Sequence, residues 1–191
     1  AILELLAFSL AELCERPALT PDLFESGAVR AKDAPNVPLE HLLYSGLYPP
    51  IHDRGLAPAD WLDGYLRTYV ERDVRHLSNI GNLEVFARFL GLCAGRSGQL
   101  LNYASLASDA GIDATTAKRW ISVLQASYTV QLVRPHFQNY SKRLVKSPKL
   151  YFLDTGLMCH LLGIRRPEDL TRHPLRGAIF ETFVYTELVK V

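Results

Sequence analysis

The sequence predicts a mainly α protein with a small β-hairpin, organised around a winged helix-turn-helix. Three observations predict it. Apolar residues recur at spacings of three and four in several stretches, the period of an amphipathic helix. Two of those stretches are joined by Gly111-Ile112-Asp113, the short turn that a helix-turn-helix requires. Two short apolar runs, 129–135 and 150–153, then flank a polar, turn-forming segment at 138–143, as the arms of a hairpin flank its tip.

The elements follow in order. Residues 2–6 are a short apolar run, read as a buried strand or a helical turn. Ser9 and Glu12 have the spacing of a capping box, in which hydroxyl and carboxylate satisfy the free amides of a new helix. Thr20-Pro21 is a second helix start, closed by Gly27. Pro35, Pro38, Pro49, Pro50 and Pro58 punctuate the next stretch into short helices and loops, one helix covering 39–44 before Gly46. Pro58 opens a long helix, with Trp61, Leu62, Tyr65, Leu66, Tyr69, Val70, Val74 and Leu77 on its apolar face. Glu71 and Arg75 lie four apart on the other face, in the favourable order.

A second amphipathic helix covers 83–94, ended by Gly95 and Gly98. Asn102 caps a helix through Asp109, and Gly111 ends it in a left-handed conformation. Asp113 caps the next helix, 114–126, whose buried stripe is Ala117, Trp120, Ile121 and Leu124. After the hairpin, Asp154 caps a helix through Leu162, ended by Gly163. Arg165-Arg166-Pro167 opens a loop, and a last helix runs from Gly177 to the end.

Composition narrows the function. The chain has 191 residues, 48% of them hydrophobic, and a net charge of +1. No run approaches the roughly 18 apolar residues that span a bilayer, so no membrane partner is expected. No overall basic field draws the chain to nucleic acid; such binding must rest on local charge. Cys14, Cys93 and Cys159 are too widely spaced for a disulfide framework or a zinc knuckle, and read as small buried residues in a reducing cytoplasm. No Gly-Lys dipeptide occurs, so the chain carries no phosphate cradle of the GxxxxGK[ST] type and is not expected to hydrolyse ATP or hold a cofactor by itself. It begins at Ala1 and stops at Val191 within a helical pattern; the natural protein is expected to extend either way.

The second helix of the helix-turn-helix exposes Thr115, Lys118, Arg119, Ser122 and Gln125. In a DNA-bound winged helix such side chains reach base edges and phosphates; alternatively the face is solvated on a module that packs against a partner protein. The hairpin carries Lys142, Arg143, Lys146 and Lys149, with Arg134 at its base: five positive residues in sixteen positions and no acid. They interleave with His136, Phe137, Tyr140 and Tyr151. The wing could reach phosphates, or its lysines could simply protect an exposed strand edge. Glu181 and Glu187 lie six apart on the last helix. One helical carboxylate is no metal site, so both read as surface charge.

Several stretches together resemble a prokaryotic family, the AAA-type predicted ATPases with a C-terminal domain of uncharacterised function. They are LELLAFSLAEL (3–13), YLRTYVERDVRHL (65–77), NLEVFARFLGLCAGRSGQLLNYASLASDAGIDATTAKRWISVL (82–124), KRLVKSPKLYFLDTGLMCHLLG (142–163) and GAIFETFVYTEL (177–188). The resemblance implies that residues 1–60 are the end of an ATPase core and its helical lid, 61–153 a winged-helix domain, and 154–191 the start of a truncated, nuclease-like α/β domain. ATP and magnesium are implied for the parent protein, in a core outside this chain. Glu181 matches the glutamate that helps hold magnesium in active nucleases of that kind. One departure is YSGLYPP (44–50), where the family more often has paired glycines. The function expected is a winged-helix, DNA-binding module regulated by ATP in the missing core. The alternatives are a protein-interaction or homo-oligomerisation module, and part of a metal-dependent nuclease.

Overall fold

The computed structural model describes residues 6–17, 20, 22, 37–69, 82–136 and 147–190. Residues 2–5 of the expected first strand, residues 21 and 23–27 of the helix opened at Pro21, residues 70–77 of the long helix and residues 137–146, which include the expected hairpin tip at 138–143, lie outside them.

The described elements are mostly helical with one two-stranded antiparallel sheet. Helix α1 (Leu10–Leu13) starts at the capping box read from the sequence: the Glu12 amide donates to Ser9 Oγ at 3.2 Å, and the Ser9 amide to Glu12 Oε2 at 2.7 Å. Helices α2 (Leu39–Ser45), α3 (Pro49–Asp53) and α4 (Pro58–Thr68) follow, the last two with proline in their first turn, where its missing N–H costs nothing. Trp61, Tyr65 and Tyr69 stack along one side of α4 and its C-cap, and Tyr48 packs against the first two.

The central part assembles as its caps direct. Helix α5 (Leu83–Ala94) is capped by Asn82. Helix α6 (Tyr103–Ala110) is capped by Asn102, which accepts from the Ser105 amide at 3.1 Å. Gly111 ends α6 at φ 72°, a conformation glycine adopts without a steric penalty. Asp113 then caps α7 (Ala114–Ala126), its Oδ1 accepting from the Thr116 amide at 2.9 Å. The rings of Phe86 and Phe89 meet Trp120 edge-on at 5.2 and 5.1 Å, an arrangement aromatic pairs favour. Leu90, Ile121 and Leu124 are completely buried beside them.

Strand β1 (Val130–Val133) pairs antiparallel with β2 (Lys149–Phe152), in a register that sets Val130 opposite Phe152 and Val133 opposite Lys149. The other edge of β2 is also covered. Gly98 donates to the Leu150 carbonyl at 2.7 Å, Leu101 to Pro148 at 2.8 Å, and Leu150 returns a bond to Gln99 at 3.1 Å. The element order here is helix, bridging segment, helix, helix, strand, strand.

Helix α8 (Thr155–Leu161) begins at Asp154. The stretch read as a loop after Arg166 is instead a 3-10 helix, Pro167–Arg172. Pro167 fixes a helical φ at its start, and the turn buries Leu170 fully, which an open loop would not do. Helix α9 (Arg176–Val189) closes the fold. Most of the buried apolar residues from Leu42 to Phe183 form one cluster. No helix among the described residues is long and apolar enough to cross a membrane.

The two ends of the described chain are clasped. Glu187 Oε2 accepts from the free Leu10 amide at 2.7 Å, and Lys190 Nζ donates to the Phe8 carbonyl at 2.7 Å and to Glu187 Oε1 at 3.2 Å. The Lys190 side chain is only 6% exposed. Glu187→Ala would leave the Leu10 amide without its acceptor and the largely buried Lys190 ammonium without its counter-charge, so a loss of about 2 kcal/mol in a urea titration is expected. Lys190→Met together with Glu187→Ala should recover part of it, because no unpaired charge remains.

Candidate nucleic-acid interface

Helix α7 presents the face read from the sequence. Thr115, Lys118, Arg119, Ser122 and Gln125 are all exposed, while Ala117, Trp120, Ile121, Val123 and Leu124 turn inward. The opposition follows from period: 115, 118, 119 and 122 lie on one side of a 3.6-residue helix. No acid occurs between Ala114 and Ala126, and Lys118 and Arg119 have no ion-pair partner among the described residues. The Ser122 hydroxyl donates back to the Lys118 carbonyl at 3.1 Å, leaving its oxygen free to accept. Asp113, at the start of the helix, is spent on capping: the Thr116 hydroxyl and amide hold its carboxyl below the usual carboxylate range.

The hairpin arms are less uniform. Arg134 and His136 are exposed beyond β1, and Lys142, Arg143 and Lys146 lie outside the described residues. Lys149, at the start of β2, is half-exposed but not free. Its Nζ donates to Glu181 Oε1 at 2.8 Å, and the Tyr151 hydroxyl donates to the same oxygen at 2.5 Å. The Tyr185 ring stacks on Tyr151 at 4.2 Å. Those two donors lower the pKa of Glu181, while the Glu181 carboxylate raises that of Lys149. Glu181, read as a lone surface carboxylate, is thus the acceptor at the centre of a three-residue cluster. Sequence reasoning missed the partnership because residues 149 and 181 are 32 apart, too far for any local pattern. No group of three or more His, Cys, Asp or Glu residues is placed to hold a metal among the described residues.

Beneath this surface lies a buried lock. Asp154 Oδ1 accepts from the Leu157 amide at 2.8 Å, the capping bond read from the sequence. Its Oδ2 accepts from the Leu47 amide at 2.7 Å, which the sequence did not disclose. Burial pushes the Asp154 carboxyl up, against the two amides that favour its ionised form. Thus the YSGLYPP turn is where the carboxylate docks. Cys93 and Cys159 are buried free thiols, and burial pushes the Cys159 pKa up to about 12, so neither is a poised nucleophile.

The stretch from α2 through the helix-turn-helix, the paired strands, the lock and α8 is also what the comparisons single out. Residues 37–168 match the model of a family described as a domain of unknown function, DUF8612. The chain belongs to this family. Within it, the DUF8612 segment contains α7, β2 and Asp154 but stops short of Glu181. The chain is also 35% identical over 169 residues to an uncharacterised protein of Mycobacterium tuberculosis, Rv2008c, and equally to one of Mycobacterium bovis, Mb2031c. Those matches cover 87% of the chain but span only 38% of each relative's length. No solved structure matches the chain.

Proposed function

We propose that this DUF8612 protein binds nucleic acid through the outer face of α7 and the basic hairpin beside it, as the binding module of a longer, ATP-regulated cytoplasmic protein. The observation that carries this reading is the α7 face: two cations without an ion-pair partner among the described residues, flanked by exposed hydroxyl and amide side chains, without an acid along the helix. Lys118 and Arg119 supply phosphate contacts and Thr115, Ser122 and Gln125 supply hydrogen bonds to base edges. Lys142, Arg143 and Lys146, outside the described residues, add positive charge to the sequence between the two strands. Under this reading an ATPase core lies outside this chain, and nucleotide hydrolysis is a property of the whole protein; the relatives are longer than the matched segment, which spans 38% of their length.

Fluorescence anisotropy with a labelled DNA duplex at several salt concentrations tests the reading. Lys118→Ala with Arg119→Ala should lower the slope of log affinity against log salt by about 0.9 for each phosphate that the variant no longer neutralises. Thr115→Ala with Ser122→Ala should leave that slope unchanged while reducing discrimination between sequences. No wild-type binding even at low salt, or a double variant that binds like the wild type, would remove α7 as the contact surface.

A second reading is favoured by one feature of α9. Phe180, Val184 and Leu188, four residues apart, are 45%, 42% and 56% exposed, and such a stripe suits protein docking. Under that reading the wild type self-associates or captures a partner protein, Phe180→Ser abolishes the association, and nucleic acid affinity is absent.

A further inference from the structure

The Lys149–Glu181–Tyr151 cluster supports an inference that rests on the nucleic-acid reading and adds regulation to it. Two donors of different kinds, an ammonium and a phenol, converge on a single oxygen, Glu181 Oε1. That arrangement suits an oxyanion. The site is at the surface: the Lys149 and Glu181 side chains are 43% and 48% exposed, so water and solutes reach it. It is also held in place. The Lys149 backbone is fixed by pairing with both Val133 and Leu100, the Lys149 ammonium lies 5.8 Å from the centre of the Tyr151 ring, and Tyr151 is stacked on Tyr185. The donors therefore stay put if the carboxylate leaves, and Glu181 can leave by rotating about its own side chain. Gly98 lies against the carboxylate, where an added Cβ would be in van der Waals contact with Glu181 Oε2 at 3.5 Å.

We propose that Glu181 is a built-in competitor for a phosphate at the foot of the wing. Its carboxylate occupies the place that a nucleic-acid phosphate takes on Lys149 and Tyr151, so that Lys149 is masked until Glu181 is displaced. The cluster is an internal brake on binding, released when a backbone phosphate outcompetes the carboxylate.

Glu181→Gln is the informative variant. It keeps the size of the side chain and an oxygen for Tyr151, but removes the charge that holds Lys149. In the duplex titration, Glu181→Gln should bind several-fold more tightly than the wild type, with a salt slope steeper by about 0.9, the value of one further neutralised phosphate. Lys149→Ala alone should change wild-type binding far less than it changes the binding of Glu181→Gln, because in the wild type displacing the carboxylate offsets most of what the lysine contributes. Glu181→Gln with Lys149→Ala should return to the wild-type value. A gain that survives in that double variant would mean a general charge effect and would overturn the proposal. A second arm separates it from the nucleic-acid reading. Inorganic pyrophosphate should raise the melting midpoint of Glu181→Gln more than that of the wild type or the double variant. If pyrophosphate acts as expected and no variant binds DNA, the anion site stands and the nucleic-acid reading fails; if pyrophosphate protects all three equally, the masked site does not exist.

Discussion

Gly156→Ala should cost the fold about 3 kcal/mol, at the upper end for overpacking a core, read as a lower urea midpoint with an unchanged slope. Gly156 sits in the first turn of α8 and lies directly against the backbone of α2's last turn. A Cβ built on it would come within 2.5 Å of the Ser45 carbonyl oxygen, 2.6 Å of the Ser45 carbonyl carbon and 2.7 Å of the Gly46 nitrogen. All three are backbone atoms, so no rotamer change relieves the contact, and the two helices must separate. Separation would pull Leu157 and Met158, both essentially fully buried, away from the core they fill. Gly156→Ser should be at least as damaging. Gly177→Ala in α9, where nothing lies within 4 Å of the added atom, is the control; it should be neutral or slightly stabilising, since alanine favours helix over glycine by up to about 1 kcal/mol.

The second large effect is expected at Asp154. Asp154→Ala removes two acceptors at once, leaving the buried Leu47 and Leu157 amides without partners. Orphaned buried donors cost about 1–3 kcal/mol each, so a loss of about 3 kcal/mol is expected, and both α8 and the 46–48 turn should lose amide protection in hydrogen exchange. Asp154→Asn is not a conservative repair. Its amide nitrogen cannot accept, so one of the two backbone donors still goes unmet. Asn also removes a titration. The folded-state pKa of Asp154 is raised by burial, so the folded form binds the extra proton more readily than the unfolded chain. Its contribution to stability therefore falls as pH rises from the ordinary carboxylate value through the raised one. The difference in unfolding free energy between wild type and Asp154→Asn should shrink with rising pH across that window and level off above it. A difference that grows with pH would contradict the burial of an ionisable Asp154.

Much of the architecture was legible because its signals are local. Asn102, Asp113 and Asp154 each cap the amide three residues ahead, and Gly111 and Gly163 each stop a helix with a positive φ; short side chains and missing Cβ atoms act over one turn. The α7 face was legible for the same reason, since helical period alone separates Lys118 and Arg119 from Trp120 and Ile121. What stayed hidden is contact between distant segments. The Leu47–Asp154 bond joins residues 107 apart, and nothing near Leu47 marks its amide as needing a partner. The 98–101 segment pairs with β2 although its Gly-Gln-Leu-Leu text shows no alternation. Leu100 is 66% exposed there and only Leu101 is buried, so the residues carry little strand signal of their own. The pairing of Glu181 with Lys149 was hidden likewise: composition counted Lys149 as one of five cations, whereas the fold neutralises it.

Amide chemical-shift mapping with a short DNA duplex at low salt tests most directly whether α7 is the contact surface. Binding through this face predicts the largest shifts at Thr115, Lys118, Arg119 and Ser122, with smaller ones at Lys149 and Glu181. Shifts confined to Phe180, Val184 and Leu188, or none anywhere at saturating duplex, would contradict it.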